Sequence, residues 1–193
     1  HVYTHANTTI IGVGTTFQAD IAVGDVLFWS SKYAVVETVS NNTVLVASGD
    51  SSGMASAAAY TLRSRSGFGQ PASDLIGTCA ASANGTTITG TDTSFLTQYT
   101  VGDLVKLVGT NEERKVSAIA SKTSMTVSVP FVKAAAANTH SRRWEYADSF
   151  DSEPVTSAHA KRNSGNYDEI HVVVVDEDGD ITGANNTVIE TYT

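Results

Sequence analysis

The sequence predicts a mainly β protein: two repeated, small β-barrel-like modules followed by a partial α/β or α+β segment of different chemistry. Three observations predict it. The first is an internal repeat. Thr8-Thr9-Ile10-Ile11-Gly12-Val13-Gly14-Thr15-Thr16-Phe17, closing on Val23-Gly24-Asp25, returns 78 residues later as Thr86-Thr87-Ile88-Thr89-Gly90-Thr91-Asp92-Thr93-Ser94-Phe95, closing on Val101-Gly102-Asp103. Nine of the eighteen positions from 8 to 25 are identical to their partners. The second is composition: Thr, Ser, Val, Ala and Gly dominate, with only three Pro and 8% aromatic residues, which suits short strands and tight turns. The third is charge. Residues 144–193 hold eleven acids and two bases, a net −9, whereas residues 1–143 sum to +1. The last fifty residues are therefore chemically unlike the repeats.

The first copy is expected over residues 1–47. Thr8–Ile11 reads as a strand, broken by Gly12 and Gly14; Val26–Trp29, Tyr33–Val39 and Thr43–Ala47 follow, with a turn at Ser40-Asn41-Asn42. The second copy is expected over 85–132, with strands at Thr86–Thr89, Leu104–Val108, Lys115–Ile119 and Ser124–Val129. The offset grows to 80 by Thr43 and Thr123, which places two extra residues in the Gly109-Thr110-Asn111 hairpin. Phe17 and Phe95 are candidate core anchors. In the Gly24-Asp25 and Gly102-Asp103 pairs, Gly supplies an unusual backbone angle and Asp caps the turn.

Residues 48–84 read as a linker. Ser48–Gly53 is loop-like, Ala55–Tyr60 is a turn of helix or an extended piece, and Arg63-Ser64-Arg65-Ser66-Gly67 reads as mobile. Residues 133–193 read as a second joint, Ala-rich at Lys133–Asn138, leading into the third region. Trp144–Gly165 is expected to be mostly irregular, with Pro154 and Gly165 as punctuation. Glu169–Val175 is an apolar run broken by His171, expected as a central strand covered on both faces. The acidic turn Asp176-Glu177-Asp178-Gly179-Asp180 and a strand at Thr187–Tyr192 complete the chain.

No catalytic, cofactor or metal set is legible. Asp176–Asp180 has the acids and Gly of a calcium loop. Counted from Asp176, however, Gly179 falls at position four and Thr187 at position twelve, where an EF-hand needs Gly at six and Glu at twelve. His1, His5, His140, His159 and His171 show no ligand spacing, and His171 inside a strand is expected to be structural. No Ser has the setting of a triad nucleophile. Gly12-Val13-Gly14 lacks the third Gly and the helix of a dinucleotide site. Cys79 is the single cysteine, so it forms no intrachain disulfide and no Cys-based metal site. Trp29, Trp144 and Tyr146 could stack on a sugar, with core or interface packing the alternative. The net charge of −8 gives no broad footprint for nucleic acid. Arg63, Arg65, Arg142 and Arg143 are the local basic spots, read as solvated loops or contacts with another subunit. No segment is long and apolar enough for a membrane span, and no signal-peptide pattern is present.

Trp144-Glu145-Tyr146-Ala147-Asp148-Ser149-Phe150-Asp151-Ser152-Glu153-Pro154, followed by Asp168-Glu169-Ile170-His171-Val172-Val173-Val174-Val175-Asp176-Glu177-Asp178-Gly179 and Thr182-Gly183, resembles the contractile-tail sheath proteins of T-even-type and cyanobacterial myoviruses. In that family an irregular Pro-Gly-Thr-Ser stretch leads into a strand ending in an Asp-Glu-Asp-Gly turn and then Thr-Gly. Here Pro154-Val155-Thr156-Ser157 carries Val for the usual Gly, and Asn185-Asn186-Thr187 also departs from a common Gly. The specific likeness covers the last fifty residues. The Gly-Thr-x-Phe … Val-Gly-Asp pattern of the repeats is similar to small β modules of phage tail proteins.

The resemblance implies a non-enzymatic virion subunit without cofactors, packed helically with other sheath subunits around the tail tube and above the baseplate. Its contraction would drive the tube through the host envelope. It would be made in the host cytoplasm, with no nucleic-acid partner and no membrane insertion. The chain starts at His1 and is expected to be a fragment or processed product that stops before the family's long C-terminal core. It is therefore expected to be monomeric or weakly associating, with the acidic segment adding repulsion between copies. The alternative reading is a carbohydrate- or host-surface-binding module of a tail protein. An exposed aromatic platform on the repeats would favour that alternative.

Overall fold

A computed structural model describes residues 2–5, 9–29, 32–49, 59–63, 68–163 and 168–193. His1 and Gly165, most of the expected loop at Ser48–Gly53 and of the piece at Ala55–Tyr60, and Ser64 to Gly67 with Arg65 lie outside the described residues. The chain is mainly β and falls into two compact units, His1–Arg143 and Trp144–Thr193.

In chain order the first unit contains β1 (Val2–His5), β2 (Thr9–Gly12), one helical turn α1 (Phe17–Asp20), β3 (Val26–Trp29), β4 (Lys32–Asn41), β5 (Val44–Gly49), β6 (Thr61–Arg63) and β7 (Gly69–Gln70). It continues with β8 (Thr78–Ala81), β9 (Thr87–Thr91), α2 (Phe95–Gln98), β10 (Leu104–Leu107), β11 (Glu112–Ser121), β12 (Ser124–Val127), β13 (Ala135–Asn138) and β14 (His140–Arg143). These form two antiparallel sheets, ordered β1-β2-β5-β4-β3-β6 and β13-β8-β9-β12-β11-β10-β14-β7. The order β8-β9-β12-β11-β10-β14 in the second matches the whole of the first.

The registers match as well. Val36 faces Ala47, Thr38 faces Val46 and Asn41 faces Val44, with bulges at the two intervening steps. Val116 faces Val127, Ala118 faces Thr126 and Ser121 faces Ser124, with bulges at the same two steps. The β3–β4 connection is two residues (30–31) and the β10–β11 connection is four (108–111), which accounts for the change of offset. Both ladders run from one end strand to another, so the expected barrel closure is not among the described pairings.

The identities between the copies have a local physical cause. Thr15 Oγ1 donates to Asn42 O at 2.7 Å and Thr93 Oγ1 to Lys122 O at 2.8 Å, tying the segment before each helical turn to the turn between the two long-hairpin strands. The backbone N–H groups of Phe17 and Phe95 donate to the same two carbonyls at 3.1 and 3.0 Å. Gly12 and Gly90 pass so close that a Cβ at either would overlap the Thr15 or Thr93 side chain and the Phe17 or Phe95 ring. Gly24 and Gly102 have φ of 93° and 100°, a region that L side chains rarely adopt. The Asp25 carboxylate accepts from Ala22 N at 2.9 Å and that of Asp103 from Thr100 N at 2.8 Å.

Alternating side chains fill each core, as β10 and β12 illustrate with every second residue buried. Ile10, Phe17, Leu27, Trp29, Val36, Leu45 and Ala47 cluster in the first copy. Ile88, Phe95, Val105, Leu107, Val116, Met125 and Val127 occupy the corresponding places in the second. Phe17 and Phe95 are both fully buried.

The expected limits of the modules shift. The span read as a linker, 48–84, contains β6, β7 and β8. The former pairs with β3, and the others join the second sheet through β14 and β9. The Ala-rich joint at Lys133–Asn138 contains β13, an edge strand on β8, and β14 follows it on β10. These strands are two to four residues long and mostly polar, too short to show a period of two.

The second unit carries a 3₁₀ turn (Ala147–Ser149), a short helix α3 (Ala158–Arg162) and a hairpin of β15 (Val172–Asp176) and β16 (Thr187–Tyr192). Ser157 caps α3, its hydroxyl accepting from Ala160 N at 3.1 Å. The expectation of a strand covered on both faces does not hold. Among the described residues β15 pairs only with β16, and Val172 and Val174 are 45% and 40% exposed. A continuous Val run reads as a buried strand because sequence periodicity does not report how many neighbours a strand has. His171 lies just before β15 rather than inside it.

Candidate functional site

The residues that sequence reading set aside as solvated basic spots build the most distinctive polar feature of the first unit. Arg142 is 3% exposed and reaches to the residue just before β10, its Nη1 lying 3.1 Å from Asp103 Oδ2. The same carboxylate holds the turn before β10 through Thr100 N. Solvation or a subunit contact is therefore not the role of Arg142: it is a buried ion-pair partner, and the pair is costly to break because a lone charge would remain in the core. Arg143 makes a two-pronged pair with Glu113 at 2.8 and 2.7 Å. Arg63 pairs with Asp74 at 3.1 Å and sits 4.3 Å over the Phe28 ring.

Beside the buried pair lies a second polar chain that sequence reading missed. Tyr99 Oη is 2.6 Å from His140 Nδ1, and His140 Nε2 is 3.0 Å from Ile76 O. A carbonyl can only accept, so Nε2 carries the proton and Nδ1 accepts from the Tyr99 hydroxyl. Burial holds the His140 imidazole below the usual histidine range, and burial pushes the Tyr99 hydroxyl well up. Phe95 meets both rings edge-on, with centroids 5.7 and 5.9 Å away. The signal that could have found this chain is the repeat continued at offset 80: Tyr60-Thr61-Leu62-Arg63 against His140-Ser141-Arg142-Arg143.

The remaining candidates lie apart. Cys79 is fully buried in the second core, where burial pushes its thiol up to about 12, far from the range of a reactive thiolate. Trp29 is 6% exposed and packs in the first core. Gly12-Val13-Gly14 ends β2 without a helix at Gly14.

In the second unit Asp176 accepts four donors: Gly179 N at 3.1 Å, Ile181 N at 3.1 Å, Thr182 N at 2.6 Å and Thr182 Oγ1 at 2.7 Å. The Thr182 backbone hydrogen bond above all holds its carboxyl below the usual range. The acidic turn is thus closed by its own first residue. Trp144, Phe150 and His171 stack in series, with centroids 5.8 and 4.6 Å apart, and Tyr146 meets Trp144 edge-on at 5.5 Å. His159 sits exposed on α3.

The geometry offers buried structural polar groups, and among the described residues no three His, Cys, Asp or Glu side chains gather to hold a metal ion. No known protein family, curated protein or solved structure matches the chain. The polar groups that are in place act on the fold itself. Asp103, Arg142, His140 and Tyr99 fix turns and strands of the second copy, and Asp176 fixes the turn that the sequence marks most strongly.

Proposed function

We propose that the chain is a structural, non-enzymatic subunit of a bacteriophage contractile tail sheath, part of the helical sleeve whose contraction drives genome delivery. Its partners are other sheath subunits, the tail tube and the baseplate, and its place is the virion.

The observation that carries the reading is the β15–β16 hairpin. It lies within the segment that resembles sheath proteins, and it leaves Val172, Val174, Val188, Ile189 and Tyr192 between 37% and 52% exposed. Apolar side chains gathered on a two-stranded hairpin are the surface of a protein that packs against a neighbour. The turn that joins the strands is held rigid by Asp176, so the hairpin is presented in one shape. The carbohydrate-binding alternative wants an exposed aromatic platform on the repeats. Phe17, Phe28, Trp29, Tyr33, Tyr60, Phe68, Phe95, Tyr99 and Phe131 of the first unit are each buried or half-buried.

Immunogold electron microscopy tests the proposal. Antibodies raised against the purified chain should label the virions that carry it along the length of the tail sleeve. Label confined to fibres or to the tail tip, or virions without label, would contradict it.

A further inference from the structure

The segment between β7 and β8, two strands of the second sheet, is gripped from both sheets of the first unit. Leu75 inserts into the second core, whereas Ile76 packs with Val26 and Val35 on the outer face of the first sheet. Arg63 of β6 holds the preceding residues through Asp74 and the Ser73 carbonyl. The Ile76 carbonyl turns the other way and accepts from His140 on β14. One residue thus joins the first sheet by its side chain and the second sheet by its backbone.

We propose that Tyr99, His140 and Ile76 form a pH-sensitive catch, in which neutral His140 fastens the β7–β8 segment that bridges the two sheets and protonated His140 loosens it. The inference concerns the first unit alone and is independent of the sheath proposal.

The geometry of the chain accounts for the sensitivity. With Nε2–H committed to the Ile76 carbonyl, an added proton must go on Nδ1, where the Tyr99 hydroxyl already donates at 2.6 Å. Tyr99 would have to turn its proton elsewhere, and the Ser141 carbonyl lies 3.4 Å from its oxygen, a weak acceptor position. The resulting imidazolium would sit 1% exposed against the Phe95 ring.

Among the described residues no carboxylate bonds the His140 ring, whose partners are Tyr99 and the Ile76 carbonyl. The titratable and charged groups around Tyr99 and His140 are Cys79 of β8, Asp103 before β10 and Arg142 of β14 itself. The thiol is neutral, and Asp103 is committed to Arg142 and to Thr100 N. Arg142 brings a positive charge to the same region.

The sign follows from the buried imidazole. Burial lowers the His140 pKa, with the Ile76 hydrogen bond opposing it in part. Its stabilising contribution is therefore complete above the unfolded value of about 6.5 and is lost as pH falls from there through the lower folded value. Asp176 and Asp168 are held below their ordinary range by hydrogen bonds, to Thr182 and Ser157 above all. Their contributions are lost only below about pH 4, so the loss at His140 sets in at higher pH than theirs.

Hydrogen exchange read by mass spectrometry on the whole chain is the test, comparing about pH 7.5 with about pH 5 after correction for intrinsic rates. Peptides covering residues 71–80 should lose protection by roughly fivefold or more on acidification, and His140→Gln, which keeps an amide donor but does not titrate, should abolish that response. Unchanged protection in the wild-type chain, or the same response in the variant, would overturn the catch. If the variant does not fold, nitrogen-detected NMR of the wild-type imidazole decides. A neutral ring protonated at Nε2 and titrating below free histidine supports the proposal, and a ring titrating at the ordinary value overturns it.

Discussion

The two copies in the first unit share a ladder and differ in what the ladder encloses. Strand order, register and both bulges of the long hairpin coincide. The residues that coincide with them, Gly12/Gly90, Thr15/Thr93, Phe17/Phe95 and Asp25/Asp103, are those whose backbone approach or capping bond sets the chain path. The interiors diverge. Where the first copy has Ile21, Tyr60 and Leu62, the second has Tyr99, His140 and Arg142, and these three make its buried polar network. The outer faces diverge in the opposite sense. Val26, Phe28, Tyr33 and Val35 of the first sheet form an apolar surface under Ile76, whereas Leu104, Lys106, Glu113 and Lys115 occupy those places in the second. A ladder of this kind tolerates exchange of apolar and polar residues on either face so long as the turn chemistry is kept. The exchange gave the second copy its buried Tyr99–His140 chain and Arg142–Asp103 pair.

The comparison breaks most readily at the paired phenylalanines. Phe17→Ala and Phe95→Ala should each cost about 3–5 kcal/mol in chemical denaturation, because each ring is fully buried in an equivalent place. If only one of the two were costly, the copies would not share a core.

A similar loss, about 3–5 kcal/mol, is expected for Arg142→Ala, which strands the Asp103 carboxylate in the second core. Arg142→Leu imports the first-copy residue and should cost less than Arg142→Ala, since it leaves a smaller cavity beside Val105. The reverse order of the two variants would show that the volume of the Arg142 side chain does not matter to the second core.

Smaller effects sharpen the contrast between buried and exposed groups. Cys79 should resist thiol reagents in the folded chain and react only on unfolding, because burial keeps it a thiol at neutral pH. Rapid labelling without denaturant would place it outside the core. In the second unit, calorimetric titration with calcium should show no binding below the millimolar range, because Asp176 already satisfies its carboxylate with four loop donors. Micromolar binding abolished by Asp178→Asn would overturn that account.

The repeat, the four central strands of each copy, the buried Phe pair and the capping Asp pair were legible because each leaves a local mark: alternation, a Gly in a fixed place, a turn residue. The flanking strands were not. Thr61-Leu62-Arg63 and His140-Ser141-Arg142-Arg143 hold their places by pairing with β3 and β10, a non-local contact that a three- or four-residue polar segment does not announce. Arg142 and His140 were misread or passed over for the same reason. A polar side chain looks solvated until the strand that carries it is laid beside Val105 and Leu107. Val172–Val175 erred in the other direction, since its apolar run is left largely uncovered among the described residues of its unit.

The central claim is that one ladder is built twice with different interiors, and cross-strand NMR contacts across the two long hairpins test it most directly. The account predicts contacts pairing Val36 with Ala47 and Val39 with Leu45, matched by Val116 with Val127 and Ile119 with Met125, with a bulge at Glu37 in the first hairpin and at Ser117 in the second. A shifted register or a missing bulge in either hairpin would contradict it.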